Sequence, residues 1–239
     1  MTPSPAYRRV LLLSNSTQPG MGYLDHAAET IVRHLRGAKS LLFVPYALHD
    51  RAGYAAKARE RFAALGVRVD SLHDAADPVA AVARAESLFI GGGNTFRLLD
   101  TLQRQQLLAP IRARVAAGMP YLGASAGSNV ACLSLKTTND MPIVEPASFD
   151  ALALLPFNLN PHYLDPDPAS KHMGETRETR IREFHEMNEP PVVGLREGGW
   201  LEVDGERMTL GGFGSVRLFR RGEAPVEWPI GADLSFLLR

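Results

Sequence analysis

Short, unbroken apolar runs separated by helical periodicity are the feature that most narrows the fold of this chain. Val10 to Leu13, Leu41 to Val44, Ser87 to Ile90 and Met119 to Leu122 place apolar residues in succession rather than in alternation. A strand that is apolar on both faces is buried on both, the condition of a parallel sheet covered by helices on each side. The intervening stretches fit that reading. Asp25 to Leu35 carries apolar residues at helical spacing and stops at Gly37, and Ala55 to Leu65 stops at Gly66. Asp77-Pro78 is a cap followed by proline at the first helical position. Helices are also expected near Phe96 to Gln103 and Leu108 to Ala117, and Val67 to Leu72 alternates as a further strand. The expectation is an α/β fold with a mostly parallel sheet and helices on both faces.

After Leu135 the character changes. Residues 136 to 174 are rich in Pro, Asn, Asp and Thr, with strand-like pieces near Asp150 to Leu155 and Phe157 to Asn160. A charged helix is expected over Glu175 to Met187, a buried strand over Val192 to Leu195, and C-terminal antiparallel strands from Trp200 onward. No repeat, heptad or linker divides the chain, so residues 1–239 are expected to form a single domain. Lysine plus arginine equals aspartate plus glutamate, 26 each, so no overall basic field points to nucleic acid or to a membrane surface. The one cysteine, Cys132, fits a reducing compartment. Met1 to Val10 lacks a signal-type apolar core, and no run approaches the ~18 residues of a spanning helix. A soluble cytoplasmic protein, monomer or homodimer, is expected.

Chemistry concentrates at Gly123-Ala124-Ser125-Ala126-Gly127. It follows the apolar run ending at Leu122 and precedes Val130 to Leu133, which read as the first turns of a helix. Strand, Gly-x-Ser-x-Gly and helix together make a nucleophile elbow, whose small residues let the flanking chains pass closely and hold the serine hydroxyl out at a helix N-terminus. A plain Gly/Ser/Ala turn is the bland alternative.

Gly91-Gly92-Gly93 ends another strand. Phe96 occupies the third glycine of a dinucleotide fingerprint and no Gly-Lys-Ser/Thr follows, so phosphate binding is disfavoured. A glycine N–H here, at Gly93, can instead join that of Ala126 as an oxyanion donor. Of seven histidines, His162 stands out. It follows a short apolar segment and Pro161, and it lies downstream of the serine as in many α/β hydrolases. Two acids compete to orient it: Asp140, which chain order favours, and Glu197, which a glycine-lined turn after a strand favours. Metal chemistry is disfavoured, since no His-Glu-x-x-His occurs and one cysteine builds no thiolate site. Cys132, seven residues past Ser125, reads as a small buried residue of the helix.

Seven motifs in order carry a resemblance: Leu13-Ser14-Asn15-Ser16-Thr17, Gly91 to Phe96, Ser125-Ala126-Gly127, Thr137 to Val144, Asn160-Pro161-His162, Gly174 to Glu178 and Glu197-Gly198. Together they resemble the peptidase E (α-aspartyl dipeptidase) family of serine peptidases. The resemblance implies a fold like the class I glutamine amidotransferases and cleavage of dipeptides with an N-terminal aspartate, with no metal or cofactor. It implies Ser125 as nucleophile and His162 as base, and it matches both Asp140 and Glu197 as the acid, with Asn94 as a substrate-binding candidate. Ala124 stands where some members carry a bulkier residue such as tryptophan, implying a roomier pocket beside the serine. Arg177 is the candidate for the substrate's side-chain carboxylate. Arg182 has Glu178 and Glu186, and Arg180 has Glu183, at helical spacing, whereas Arg177 has no acid three or four residues away. The competing readings are a cyanophycinase-like peptidase and a small-molecule binding module with an inert serine.

Overall fold

The structure, a computed structural model, describes residues 8–167, 169, 171 and 173–239. The start of the chain on which the leader reading rests, as far as Tyr7, lies outside the described residues, as does His172. In chain order the elements are β1 (Arg9–Leu13), α1 (Ala28–Leu35), β2 (Ser40–Val44), α2 (Arg51–Ala64), β3 (Arg68–Ser71), α3 (Pro78–Arg84), β4 (Leu88–Ile90), α4 (Thr95–Arg104), α5 (Leu108–Ala116), β5 (Tyr121–Ala124) and α6 (Ala126–Asn129). They continue with β6 (Asn158–Pro161), α7 (Arg177–Met187), β7 (Val192–Leu195), β8 (Gly199–Asp204), β9 (Arg207–Gly212), β10 (Val216–Phe219) and β11 (Val226–Trp228).

The unbroken apolar runs form the centre of a seven-stranded sheet in the order β3-β2-β4-β5-β1-β8-β9. Its first five strands are parallel, and β8 and β9 extend it antiparallel beside β1. Each run feeds both faces. Val10, Leu12, Leu88 and Ile90 pack towards α4 and α5 through Leu98, Leu102, Ile111 and Val115. Leu11, Leu13, Phe43 and Phe89 pack towards α1 and α2 through Ile31, Leu35, Ala58 and Phe62. Each such side chain contributes at most ~1.5–3 kcal/mol by leaving water. The helix ends follow local chemistry: Asp77 and Asn94 accept the Ala80 and Arg97 N–H groups and cap α3 and α4.

The later part of the chain builds a second sheet, β11-β10-β7-β6, in which β6 and β7 are parallel and the rest antiparallel. Two sequence expectations fail here for one reason. The helix after the serine stops at Asn129, and Asp150 to Leu155 forms no strand beyond a single bridge, Ser134 to Asp150. The carbonyls of Val130, Ala131 and Cys132, which a continuing helix would use, accept from Leu152, Leu154 and Ala153 instead. The two segments satisfy one another's backbone and neither becomes regular. Cys132 therefore lies beyond the helix, although fully buried.

Candidate active site

Ser125 sits at the tip between β5 and α6 with φ 52° and ψ −110°, a strained conformation for a residue with a side chain. The surroundings enforce it. A Cβ at Gly123 would stand 2.6 Å from the Gly127 carbonyl oxygen, and one at Gly127 would stand 2.0 Å from that of Ile90. Only glycine fits either place. The Ser125 N–H is fastened to the end of β1, donating to Leu13 O at 3.0 Å.

His162 follows β6, also at positive φ (54°), and Glu197 lies in the turn after β7. The His162 ring joins the two neighbours: Nε2 is 2.9 Å from Ser125 Oγ and Nδ1 is 2.6 Å from Glu197 Oε1. An ionised carboxylate only accepts, so the proton belongs on Nδ1, and Nε2 is left to accept from the serine hydroxyl. The His162 and Glu197 side chains are 37% and 47% exposed, so the pair is partly solvated.

Asp140 does not take part in that line. Its Oδ2 accepts from the Thr95 N–H at 2.7 Å and from Thr95 Oγ1 at 2.5 Å, at the start of α4. It lines the same cavity as Ser125, His162 and Glu197, which has a volume of about 650 Å³. The glycine loop passes against Ser125, where a Cβ at Gly92 would stand 3.0 Å from Ser125 Cβ. The Gly92 N–H donates to Tyr54 Oη at 2.8 Å. The Gly93 N–H and that of Ala126, the first residue of α6, have no acceptor among the described residues. Gly93 adopts φ +133°, and a Cβ there would stand 2.6 Å from Ala47 O, so this position too requires glycine.

The remaining candidates are spread further. Asn94 does not line the cavity; its side chain caps α4 and donates through Nδ2 to Met141 O at 2.8 Å, bracing the loop that carries Asp140. Ala124 is fully buried in the core and does not line the cavity, so the room beside the serine does not come from it. Arg177 begins α7, is partly buried and makes no ion pair among the described residues. Burial pulls its guanidinium below the usual range, Arg180 adds to that, and Asp140 opposes it. It does not line the cavity but stands close enough to Asp140 for their charges to interact. Arg182 pairs with Glu178, whereas Arg180 meets Glu175 at 3.5 Å rather than the expected Glu183. Burial pushes the Cys132 thiol up, which removes it as a nucleophile. Among the described residues no cluster of three or more His, Cys, Asp or Glu side chains could hold a metal ion, and no helix is long and apolar enough to cross a membrane.

Two residues that the sequence reading left without a role join the two halves of the site. Ser14 Oγ donates to Leu195 O at 2.8 Å and accepts the His162 N–H at 2.9 Å. Asn15 Oδ1 accepts the Gly198 N–H at 2.8 Å. The end of β1 thus fixes both the histidine and the glutamate turn. Their signal was a pair of short polar residues directly behind a fully apolar strand.

Comparison with known proteins extends these observations. The description "Peptidase family S51" matches residues 10–211. A protein of Streptomyces coelicolor named peptidase E is 56% identical over 229 residues, covering 96% of this chain and 94% of that protein. A protein of Drosophila melanogaster named "Probable alpha-aspartyl dipeptidase" is 48% identical, covering 97% of this chain and 98% of that protein. The crystal structure of a peptidase from an acI-B1 actinobacterium superposes with a TM-score of 0.72 at 19% identity, covering 96% of this chain and 97% of that one. The shared fold is the class I glutamine amidotransferase-like arrangement of a mostly parallel sheet between helices.

Proposed function

This chain belongs to peptidase family S51 and is a serine peptidase, and from that premise we propose that it hydrolyses dipeptides with an N-terminal aspartate through an acyl-enzyme. The observation that carries the reading is the continuous line from Ser125 Oγ through the His162 ring to Glu197, at 2.9 and 2.6 Å. Ser125 Oγ attacks the aspartyl carbonyl carbon while its proton passes to His162 Nε2. Glu197 holds the Nδ1 proton and stabilises the imidazolium. The Gly93 and Ala126 N–H groups receive the oxyanion. Collapse breaks the C–N bond as His162 protonates the leaving amine, and water then releases aspartate by the same steps in reverse.

Asp140 shapes the cavity and offers a carboxylate to the substrate ammonium, and Asn94 braces the loop that holds it. Arg177, close enough to Asp140 for their charges to interact, takes the substrate's side-chain carboxylate. The line of catalytic groups is complete within one chain, which supports one peptidase domain over residues 1–239 that works as a monomer or as a homodimer of independent sites. The absence of net charge and the single buried cysteine support small peptides rather than nucleic acid as partners, and a cytoplasmic setting.

Two measurements test this reading. Asp-Leu should be hydrolysed far faster than a β-Asp-Arg conjugate, and a fluorophosphonate should label Ser125 alone, as located by mass spectrometry. Preference for β-Asp-Arg would move the activity to branched polymer, and absence of both hydrolysis and labelling would make the chain a binding module.

A further inference from the structure

We propose that Lys57 receives the free α-carboxylate of the leaving amino acid, and so favours substrates that end one residue past the cleaved bond. The inference rests on the dipeptidase reading above and adds the group that recognises the far end of the substrate.

A dipeptide Asp-Xaa brings two carboxylates and one ammonium into the cavity. Three carboxylates line its wall, and each is already engaged. Asp50 Oδ1 accepts the Gly53 N–H at 2.8 Å and caps α2, Asp140 is held by Thr95, and Glu197 is held by His162. Lys57 is the one lysine or arginine among the lining residues, and it makes no ion pair or hydrogen bond among the described residues. The wall therefore carries one basic side chain whose anionic partner the described residues do not supply.

The placement of that cation is built. Lys57 lies three residues after Tyr54, on the same side of α2. Its Nζ rests over the Tyr23 ring, 4.6 Å from the centroid, and Tyr23 Oη is 3.5 Å from Tyr54 Oη. Tyr54 Oη in turn accepts the N–H of Gly92, the residue packed against Ser125. An aromatic wall thus leads from the nucleophile to the ammonium, and the cation–π contact steadies a side chain that would otherwise sample many rotamers. Arg177 begins α7 outside the cavity lining, within charge-interaction range of Asp140, whereas Lys57 stands on α2 inside the lining, so the two cations belong to different elements of the site. A lysine suits the carboxyl end. It is a point charge on a flexible stem, tolerant of the varied geometry that different leaving residues impose.

The test compares Asp-Leu with Asp-Leu amide, in which the terminal carboxylate is capped, on wild-type protein, Lys57→Met and Lys57→Arg. Lys57 is exposed, and methionine keeps its apolar stem over Tyr23, so folding is not at stake. Wild type should prefer the free carboxylate. In Lys57→Met the ratio of kcat/KM for Asp-Leu to that for the amide should fall about tenfold, mainly through KM, while Lys57→Arg should keep most of it. An unchanged ratio, including an equal fall for both substrates, overturns the proposal. Wild-type protein that hydrolyses neither substrate overturns the dipeptidase reading and this inference with it, an outcome visible before any variant is made.

Discussion

The two halves of the site are held by different forces. Ser125 is carried on the large sheet: every residue of β5 is buried, the flanking glycines touch backbone at distances no side chain tolerates, and no charged group contributes. His162 and Glu197 are carried on the small sheet and stay partly solvated. Beside them runs a chain of ion pairs. Arg196, the neighbour of Glu197, grips Asp165 at 2.7 and 2.8 Å and Glu227 at 3.0 Å. Arg217 links Glu227 at 3.0 Å to Glu178 at 2.9 Å, and Glu178 adjoins Arg177. Ser125 is thus positioned by sterics, which salt and pH leave alone. His162, Glu197 and Arg177 are positioned partly by charge, which both can loosen.

The largest expected effects treat the halves as one machine. Ser125→Ala and His162→Ala should each lower kcat by about 10⁶-fold without loss of folding, and the double variant should be hardly worse than either single one. Single-turnover kinetics with Asp-Leu checks this. A double variant far below both would mean that a second base works beside His162, and the comparison would lose its partner half.

Next come the two acids. Glu197→Gln should cost about 10³–10⁴-fold in kcat, because it disturbs the tautomer and removes the charge that stabilises the imidazolium. Asp140→Asn should act less on kcat and more on KM, since the Asp140 carboxylate faces Thr95 and the cavity. The reverse order of effects would return the orienting role to Asp140. Arg177→Met should lower kcat/KM for Asp-Leu by about 10²-fold, leaving a substrate carboxylate without its cation, while labelling of Ser125 by a neutral fluorophosphonate persists. Unchanged Asp-Leu kinetics would remove Arg177 from recognition.

What the sequence made legible follows the same division. The large sheet was readable because its information is local. Unbroken apolar runs, capping residues and glycines after helices specify element and face without reference to distant residues, and the elbow announces itself by five small residues in a row. The stretch between α6 and β6 was harder. Residues 130 to 133 and 150 to 155 look like a helix and a strand by composition, and become neither because each satisfies the other's backbone across about twenty residues. The choice between Asp140 and Glu197 was not decidable by spacing, as it depends on which loop end the Ser14 and Asn15 side chains tie to β1. Lys57 carried no signal at all, since a lysine on an exposed helix face is ordinary until the cavity beneath it is seen.

The smallest expected effect probes the ion-pair chain itself. Burial alone would raise the Glu227 carboxyl, but hydrogen bonds from Arg196, Ser215 and Arg217 outweigh it and hold the group at about 2. The unfolded chain should titrate nearer ~4.3. The folded state therefore binds fewer protons, so this contribution to stability is complete above the unfolded value and drains away as pH falls towards 2. Glu227→Gln lacks the charge at every pH. Wild type should then melt above Glu227→Gln at pH 7 by only about 1–2 °C, because a carboxylate 41% exposed contributes no more than ~0.5 kcal/mol after solvent screening. At pH 3 that gap should narrow, and in 1 M salt at pH 7 it should narrow as well. Ser125→Ala, measured alongside at pH 7, should keep its offset from wild type in 1 M salt, since backbone packing and not an ion pair holds the elbow. A Glu227→Gln offset that persists at pH 3 and in high salt would mean that shape rather than charge holds the small sheet, and the contrast between the two halves would fall.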